Sequence, residues 1–147
     1  MSDLPSSVLF ACTWNAVRSP LAEGVAKRLL GKLVFVDSVG VRKRNIDPFV
    51  VVVLGEIGID VSDHKPKIFD ELEDSSFDLV ISLSPEAQHQ AVEMTRTMAC
   101  DVEFWHTFDP SIVEGNRETR LEAYRQVRDT LLGKIEERFD VRGMPAV

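Results

Sequence analysis

A chain of 147 residues is long enough for one core of ordinary size, and its hydrophobic fraction of 44% is that of a globular protein, so a single domain over residues 1–147 is expected. Seventeen Lys and Arg against 24 Asp and Glu leave a net charge of −7, which disfavours nucleic acid and anionic membranes as partners. Residues 1–7 carry no basic segment leading into an apolar stretch, and no run reaches the ~18 apolar residues that span a bilayer, so a cytoplasmic protein is expected.

In chain order, the first apolar run, Val8-Leu9-Phe10-Ala11, reads as a buried strand. Residues 19–30 follow with Leu21, Val25, Leu29 and Leu30 on one side and Glu23, Lys27 and Arg28 elsewhere, the spacing of an amphipathic helix that Gly31 stops. Leu33-Val34-Phe35-Val36 is the second strand. Asp47-Pro48 then opens a second helix running to Glu56, with aspartate at the cap and proline in the first turn. Its valine run is also compatible with a strand; the start signal favours helix.

The third strand is expected within Phe77-Asp78-Leu79-Val80-Ile81-Ser82-Leu83, and Ser84-Pro85-Glu86 opens a helix reaching about Met98. Val102-Glu103-Phe104-Trp105 alternates as a strand at a sheet edge does. Residues 117–139 form the longest helix, lined by Leu121, Tyr124, Val127, Leu131, Ile135 and Phe139. Strands alternating with helices imply an α/β fold: a single three-layer domain with a central four-stranded parallel sheet and helices on both faces.

Ligands of such sheets bind beyond the carboxyl ends of the strands. There the chain places Cys12-Thr13-Trp14-Asn15-Ala16-Val17-Arg18-Ser19-Pro20, between the first strand and the first helix. A strand-to-helix turn aims backbone N–H groups at one point, and the helix N-terminus adds positive potential, which together make an anion site. Arg18 supplies a planar fork for two phosphate oxygens. The same field favours a thiolate at Cys12, and a thiolate facing a bound phosphorus is a nucleophile. The only other cysteine, Cys100, leaves a disulfide formally open.

This loop, with the Pro-Leu-Ala-Glu that follows it, resembles the low-molecular-weight protein tyrosine phosphatases, and the related thioredoxin-coupled arsenate reductases share it. Further matches run through Asp37-Ser38-Val39-Gly40, Gly58-Ile59-Asp60 with His64, Phe77-Asp78, and Asp109-Pro110. The resemblance implies that Cys12 attacks phosphorus, Arg18 binds the equatorial oxygens and Asp109 protonates the leaving oxygen before activating water. It also implies that Ser19 hydrogen-bonds the sulfur and that Asn15 holds the loop, supported by Ser38 and His64. Thr13, Trp14, Ala16 and Val17 complete the phosphate-binding loop. Expected substrates are a phosphorylated protein, phosphotyrosine above all, or a small aryl phosphate. Inorganic phosphate is then the product, and no metal or cofactor is expected.

Four departures qualify the substrate. Trp14 replaces the phosphatases' usual glycine and is either an aromatic wall of the pocket or an obstruction to it. Val17 replaces a second loop cysteine. Ser111 and Ile112 stand where the phosphatases commonly place tyrosines, and Ser82 and Ser84 lie where the reductases carry relay cysteines. Arsenate reduction with an external thiol and non-hydrolytic phosphate recognition are therefore the alternatives. The basic run Arg42-Lys43-Arg44 is read either as a solvated loop or as a steering patch for an anionic substrate.

Overall fold

The computed structural model describes residues 4–72 and 76–141; residues 1–3, 73–75 and 142–147, including both ends of the expected domain, lie outside the described residues. Four strands, β1 (Ser7–Cys12), β2 (Phe35–Gly40), β3 (Leu79–Ser82) and β4 (Asp101–Phe104), form one parallel sheet in the order β2-β1-β3-β4. Four helices alternate with them: α1 (Arg18–Leu30), α2 (Pro48–Gly55), α3 (Pro85–Met94) and α4 (Arg117–Phe139).

β1 is buried along its whole length because helices cover both of its faces, which is why it reads as an unbroken apolar run. Its alternate side chains part accordingly. Val8, Phe10 and Cys12 face a core built with α1, α2 and α4, whereas Leu9 and Ala11 face a smaller one built with α3. All six apolar residues expected to line α4 are buried. Replacing one of the fully buried leucines, such as Leu131, by alanine would cost about 2–5 kcal/mol.

The expected four-stranded architecture holds, and β4 is the half-exposed edge strand anticipated from its alternation. Two local readings shift. The second strand starts at Phe35 and continues through Asp37, Ser38, Val39 and Gly40, rather than occupying 33–36. Hydrophobicity marked the entrance of that strand, but pairing with β1 sets its length: Ser7 lies opposite Phe35 and Cys12 opposite Gly40. Leu33 is left 55% exposed in the preceding turn. Helix α3 ends at Met94, where turn residues replace its last expected turn.

The chain steps from β1 outward to β2 and then returns to the other side of β1 for β3. The carboxyl end of β1 is therefore the point at which the winding reverses, where open parallel sheets leave a crevice. Residues 13–17, between β1 and α1, lie there.

Candidate active site

Cys12, Thr13, Trp14 and Ala16 turn their carbonyls toward the loop that follows β2. The carbonyls of Cys12, Thr13, Trp14 and Ala16 accept hydrogen bonds from the N–H groups of Val41 (3.0 Å), Arg42 (2.8 Å), Arg44 (3.3 Å) and Asp47 (3.1 Å). Among the described residues, the backbone N–H groups of Trp14 to Val17 have no acceptor. Carbonyls satisfied outward and amides left unpaired are the arrangement of an anion cradle.

Close approach of these two segments depends on Gly40. A Cβ there would lie 2.2 Å from the Arg42 carbonyl oxygen and 2.6 Å from the Asn15 nitrogen, too near for any side chain. Asn15 itself adopts the left-handed conformation at φ 55°, which asparagine tolerates better than most residues.

Asn15 is wholly buried and uses its full hydrogen-bonding capacity. Its Nδ2 donates to Ser19 Oγ and to Ser38 Oγ, both at 2.9 Å. Its Oδ1 accepts from the Lys67 N–H at 3.0 Å and lies 3.2 Å from His64 Nε2. His64 Nε2 is also 3.2 Å from the Asn15 carbonyl oxygen, and because both neighbours are acceptors this nitrogen carries the proton. Ser38 Oγ in turn donates to Glu23 Oε1.

Cys12 Sγ lies 2.9 Å from Ser19 Oγ and accepts from the Ser19 N–H at 3.3 Å. The Ser19 hydroxyl also reaches the Val39 carbonyl at 3.3 Å, so its proton has two acceptors, one of them the sulfur. At the start of α1 the sulfur thus meets one backbone donor and one hydroxyl whose proton can turn to it.

Arg18 is already held. Its guanidinium donates to the Thr107 carbonyl at 3.1 Å and to Thr13 Oγ1 at 3.3 Å. Thr13 Oγ1 donates to Ser84 Oγ at 3.1 Å, and Ser84 caps α3, so the loop is tied to helices on both faces of the sheet. Asp109, far away in sequence, lines the same narrow cleft as Cys12, Trp14, Val17, Arg18 and Arg44. Its Oδ1 accepts from the Ser111 N–H at 3.0 Å and the Ser111 hydroxyl at 2.6 Å.

Every residue expected in the catalytic and phosphate-binding set is thus in or beside this cleft: Cys12, Trp14, Val17, Arg18 and Asp109 line it, and Thr13, Asn15, Ala16, Ser19, Ser38 and His64 brace it. Sequence reasoning missed three contributors. Glu23, assigned by helical spacing to the polar side of α1, is buried; it accepts from Ser38 and pairs with Lys27 at 2.6 Å. Helix α1 is covered around more of its circumference than a two-sided pattern suggests. Thr107 takes part through its carbonyl, which no side-chain pattern reports.

The third is the pair Asp47 and Tyr124. Asp47 donates its N–H to the Ala16 carbonyl, caps α2 through Oδ1, and accepts from the Tyr124 hydroxyl at 2.6 Å. Burial, reinforced by that hydrogen bond, pushes the Tyr124 phenol well above its usual value near 10. The basic run is also resolved: Arg42 pairs with Glu86 at 2.8 Å and Lys43 with Glu71 at 2.7 Å, whereas Arg44 borders the cleft.

Comparison with known proteins agrees with this fold. Residues 7–138 match the family model of the low molecular weight phosphotyrosine protein phosphatases. The chain is 32% identical to an arsenate reductase of Bacillus subtilis over 130 residues, 88% of this chain and 92% of that protein. It is 34% identical to an arsenate reductase of Bacillus licheniformis, over 93% and 96% of the two chains. Among solved structures, a low molecular weight protein tyrosine phosphatase from T. tengcongensis superposes with a TM-score of 0.75 at 29% identity, covering 91% of this chain and 97% of that one. An arsenate reductase in the phosphate-binding state superposes at 0.71 with 27% identity, covering 92% and 97%. With a shared fold, a family match over nearly the whole chain and the loop in place, this protein belongs to the low molecular weight phosphotyrosine protein phosphatase family, whose enzymes work by cysteine-dependent phosphatase or reductase chemistry.

Proposed function

We propose that the chain hydrolyses phosphomonoesters through a phosphocysteine intermediate on Cys12, with a protein phosphotyrosine or a small aryl phosphate as substrate. The observation that carries this reading is the carboxylate of Asp109 in the cleft of Cys12 and Arg18, because hydrolysis needs a proton donor there. The Cys12 thiolate attacks phosphorus, the bond to the ester oxygen breaks, and Asp109 gives its proton to that oxygen. Arg18 and the free amides hold the three equatorial oxygens, where charge gathers in the transition state. Water then loses a proton to Asp109 and attacks phosphorus, releasing inorganic phosphate and the thiolate. A catalytic thiol with no partner suits a reducing compartment such as the cytoplasm. No helix among the described residues is long and apolar enough to cross a membrane.

The curated relatives favour a second reading, reduction of arsenate. Arsenate is another tetrahedral oxyanion for the same cradle. Cys12 would displace one oxygen as water to form a sulfur–arsenic bond. An external thiol would then attack the Cys12 sulfur, leaving a mixed disulfide and releasing arsenite with two electrons gained. Cys100 does not fit the part of that thiol. It precedes β4 at the amino ends of the strands, while Cys12 ends β1 at their carboxyl ends. Four strand residues alone span ~13 Å, beyond the ~7 Å Cα limit for a disulfide. Burial, and Asp101 beside it, also push the Cys100 thiol up, away from thiolate.

An aryl phosphate assay on wild type, Cys12→Ser and Asp109→Asn, run beside arsenate reduction with glutathione or thioredoxin, separates the readings. Hydrolysis predicts a loss of about 10⁴-fold or more in Cys12→Ser. It predicts a loss of about 10²–10⁴-fold in Asp109→Asn, steeper for poorer leaving groups. Arsenate turnover that survives Asp109→Asn, with no ester hydrolysis by wild type, would replace the first reading with the second.

A further inference from the structure

We infer that Arg44 makes the cleft select phosphomonoesters whose leaving group carries a second negative charge, a carboxylate being the smallest such group. The inference rests on the hydrolase reading and adds a substrate class to it. Four observations converge on it.

Arg44 lines the same cleft as Cys12, Arg18 and Asp109, so its charge lies within reach of a substrate rather than on a remote surface. Its backbone is tied to the loop, the N–H donating to the Trp14 carbonyl at 3.3 Å. Of the three cations in the basic run, Arg42 and Lys43 are taken up by Glu86 and Glu71. Among the described residues Arg44 has no carboxylate partner in an ion pair.

Trp14 supplies the fourth. The guanidinium carbon of Arg44 lies 5.0 Å from the centroid of the indole ring, and that of Arg42 lies 4.9 Å from it. An indole engaged by two guanidinium groups is a support that holds cations in place. Trp14 thus lends its ring to Arg44 at the edge of the cleft.

Arg18 and the loop amides serve the phosphoryl group, and Asp109 serves the ester oxygen. What remains for Arg44 is the part of the substrate beyond that oxygen. A neutral phenyl ring offers it only a π face, a carboxylate offers a full opposite charge, and a cationic group is repelled.

The test compares phenyl phosphate, 3-carboxyphenyl phosphate and 3-(aminomethyl)phenyl phosphate on wild type, Arg44→Gln and Arg42→Gln. Each preference is taken as a ratio of kcat/KM values and compared between proteins, which cancels the intrinsic reactivity of the esters. The carboxylate preference should fall about threefold to fivefold in Arg44→Gln, the scale of one partly solvated ion pair, and should persist in Arg42→Gln. It should also shrink as salt is raised from low ionic strength. Equal ratios in wild type and Arg44→Gln would overturn the inference.

Binding of phenylphosphonate and 3-carboxyphenylphosphonate to Cys12→Ser, by titration calorimetry, reads the same preference without turnover. A carboxylate preference there, with no ester hydrolysed by wild type, would overturn the hydrolase reading while upholding the role of Arg44. Hydrolysis of phenyl phosphate with no carboxylate preference in either assay would do the reverse.

Discussion

The two halves of the cleft are built to different standards. Residues 12–19 are braced from every side: Asn15 spends all its hydrogen-bonding capacity on Ser19, Ser38, His64 and Lys67, and the loop carbonyls are taken by residues 41–47. Residues 108–113, which carry Asp109, are anchored at Thr107 and by buried Pro110, but Phe108 is 54% and Ile112 66% exposed. The hydrogen bonds of the Asp109 carboxylate stay within its own turn. On the proposed reading, the difference follows from what each half would meet. A phosphoryl group has one shape and one charge, so a rigid cradle suits every substrate. Leaving groups vary, and a segment with few buried contacts changes at little cost to stability.

The strongest way to break this comparison is to remove the brace. Asn15→Ala strands the partners of a buried amide and puts alanine at φ 55°, a loss of about 2–4 kcal/mol with activity falling further. Asn15→Gly keeps the backbone conformation and should recover about 1 kcal/mol of that loss in denaturant titration, but not the activity. A stability change below ~0.5 kcal/mol in Asn15→Ala would show that the cradle is not held as described.

A smaller effect sharpens it. Tyr124 donates to Asp47, which in turn holds the Ala16 carbonyl, so α4 reaches the cradle through one phenol. The folded phenol titrates above the unfolded value of about 10, so folding favours its protonated form. Its contribution is therefore complete below pH 10 and is lost as pH climbs from there toward the raised folded value. Tyr124→Phe should cost about 1 kcal/mol near neutrality and flatten the alkaline limb of a stability-against-pH curve. An unchanged alkaline limb in the variant would count against it.

The smallest expected effect is on the other half. Ile112→Ser should leave the unfolding free energy unchanged within the scatter of surface substitutions, about 0.5 kcal/mol, while shifting KM among aryl phosphates more than kcat. A large loss of stability would mean that the segment 108–113 is braced after all.

How much of this was legible beforehand depended on the range of the interaction. The span of α4, the Asp47 cap of α2 and the loop from Cys12 to Ser19 were readable because each is set by neighbours within a few turns of chain. Asp109 was reached only through resemblance, since nothing within its own segment marks it as belonging with Cys12. The extent of β2 was misread because its length is set by pairing with β1, and Glu23 because a helix periodicity does not count how many neighbours will cover it.

The sequence by itself determined the alternation of strands and helices and pointed to the first turn, with Cys12 in it, as the candidate anion site, all consequences of local periodicity and chemistry. Only the tertiary structure decided that Asp109 and Arg44 share the cleft with Cys12, that Glu23 is buried behind Ser38, and that Arg42 and Lys43 are paired. The physical reason is that hydrogen bonds and charges act over a few ångströms of space. Whether two residues come within that range is set by how the strands pair and the helices pack.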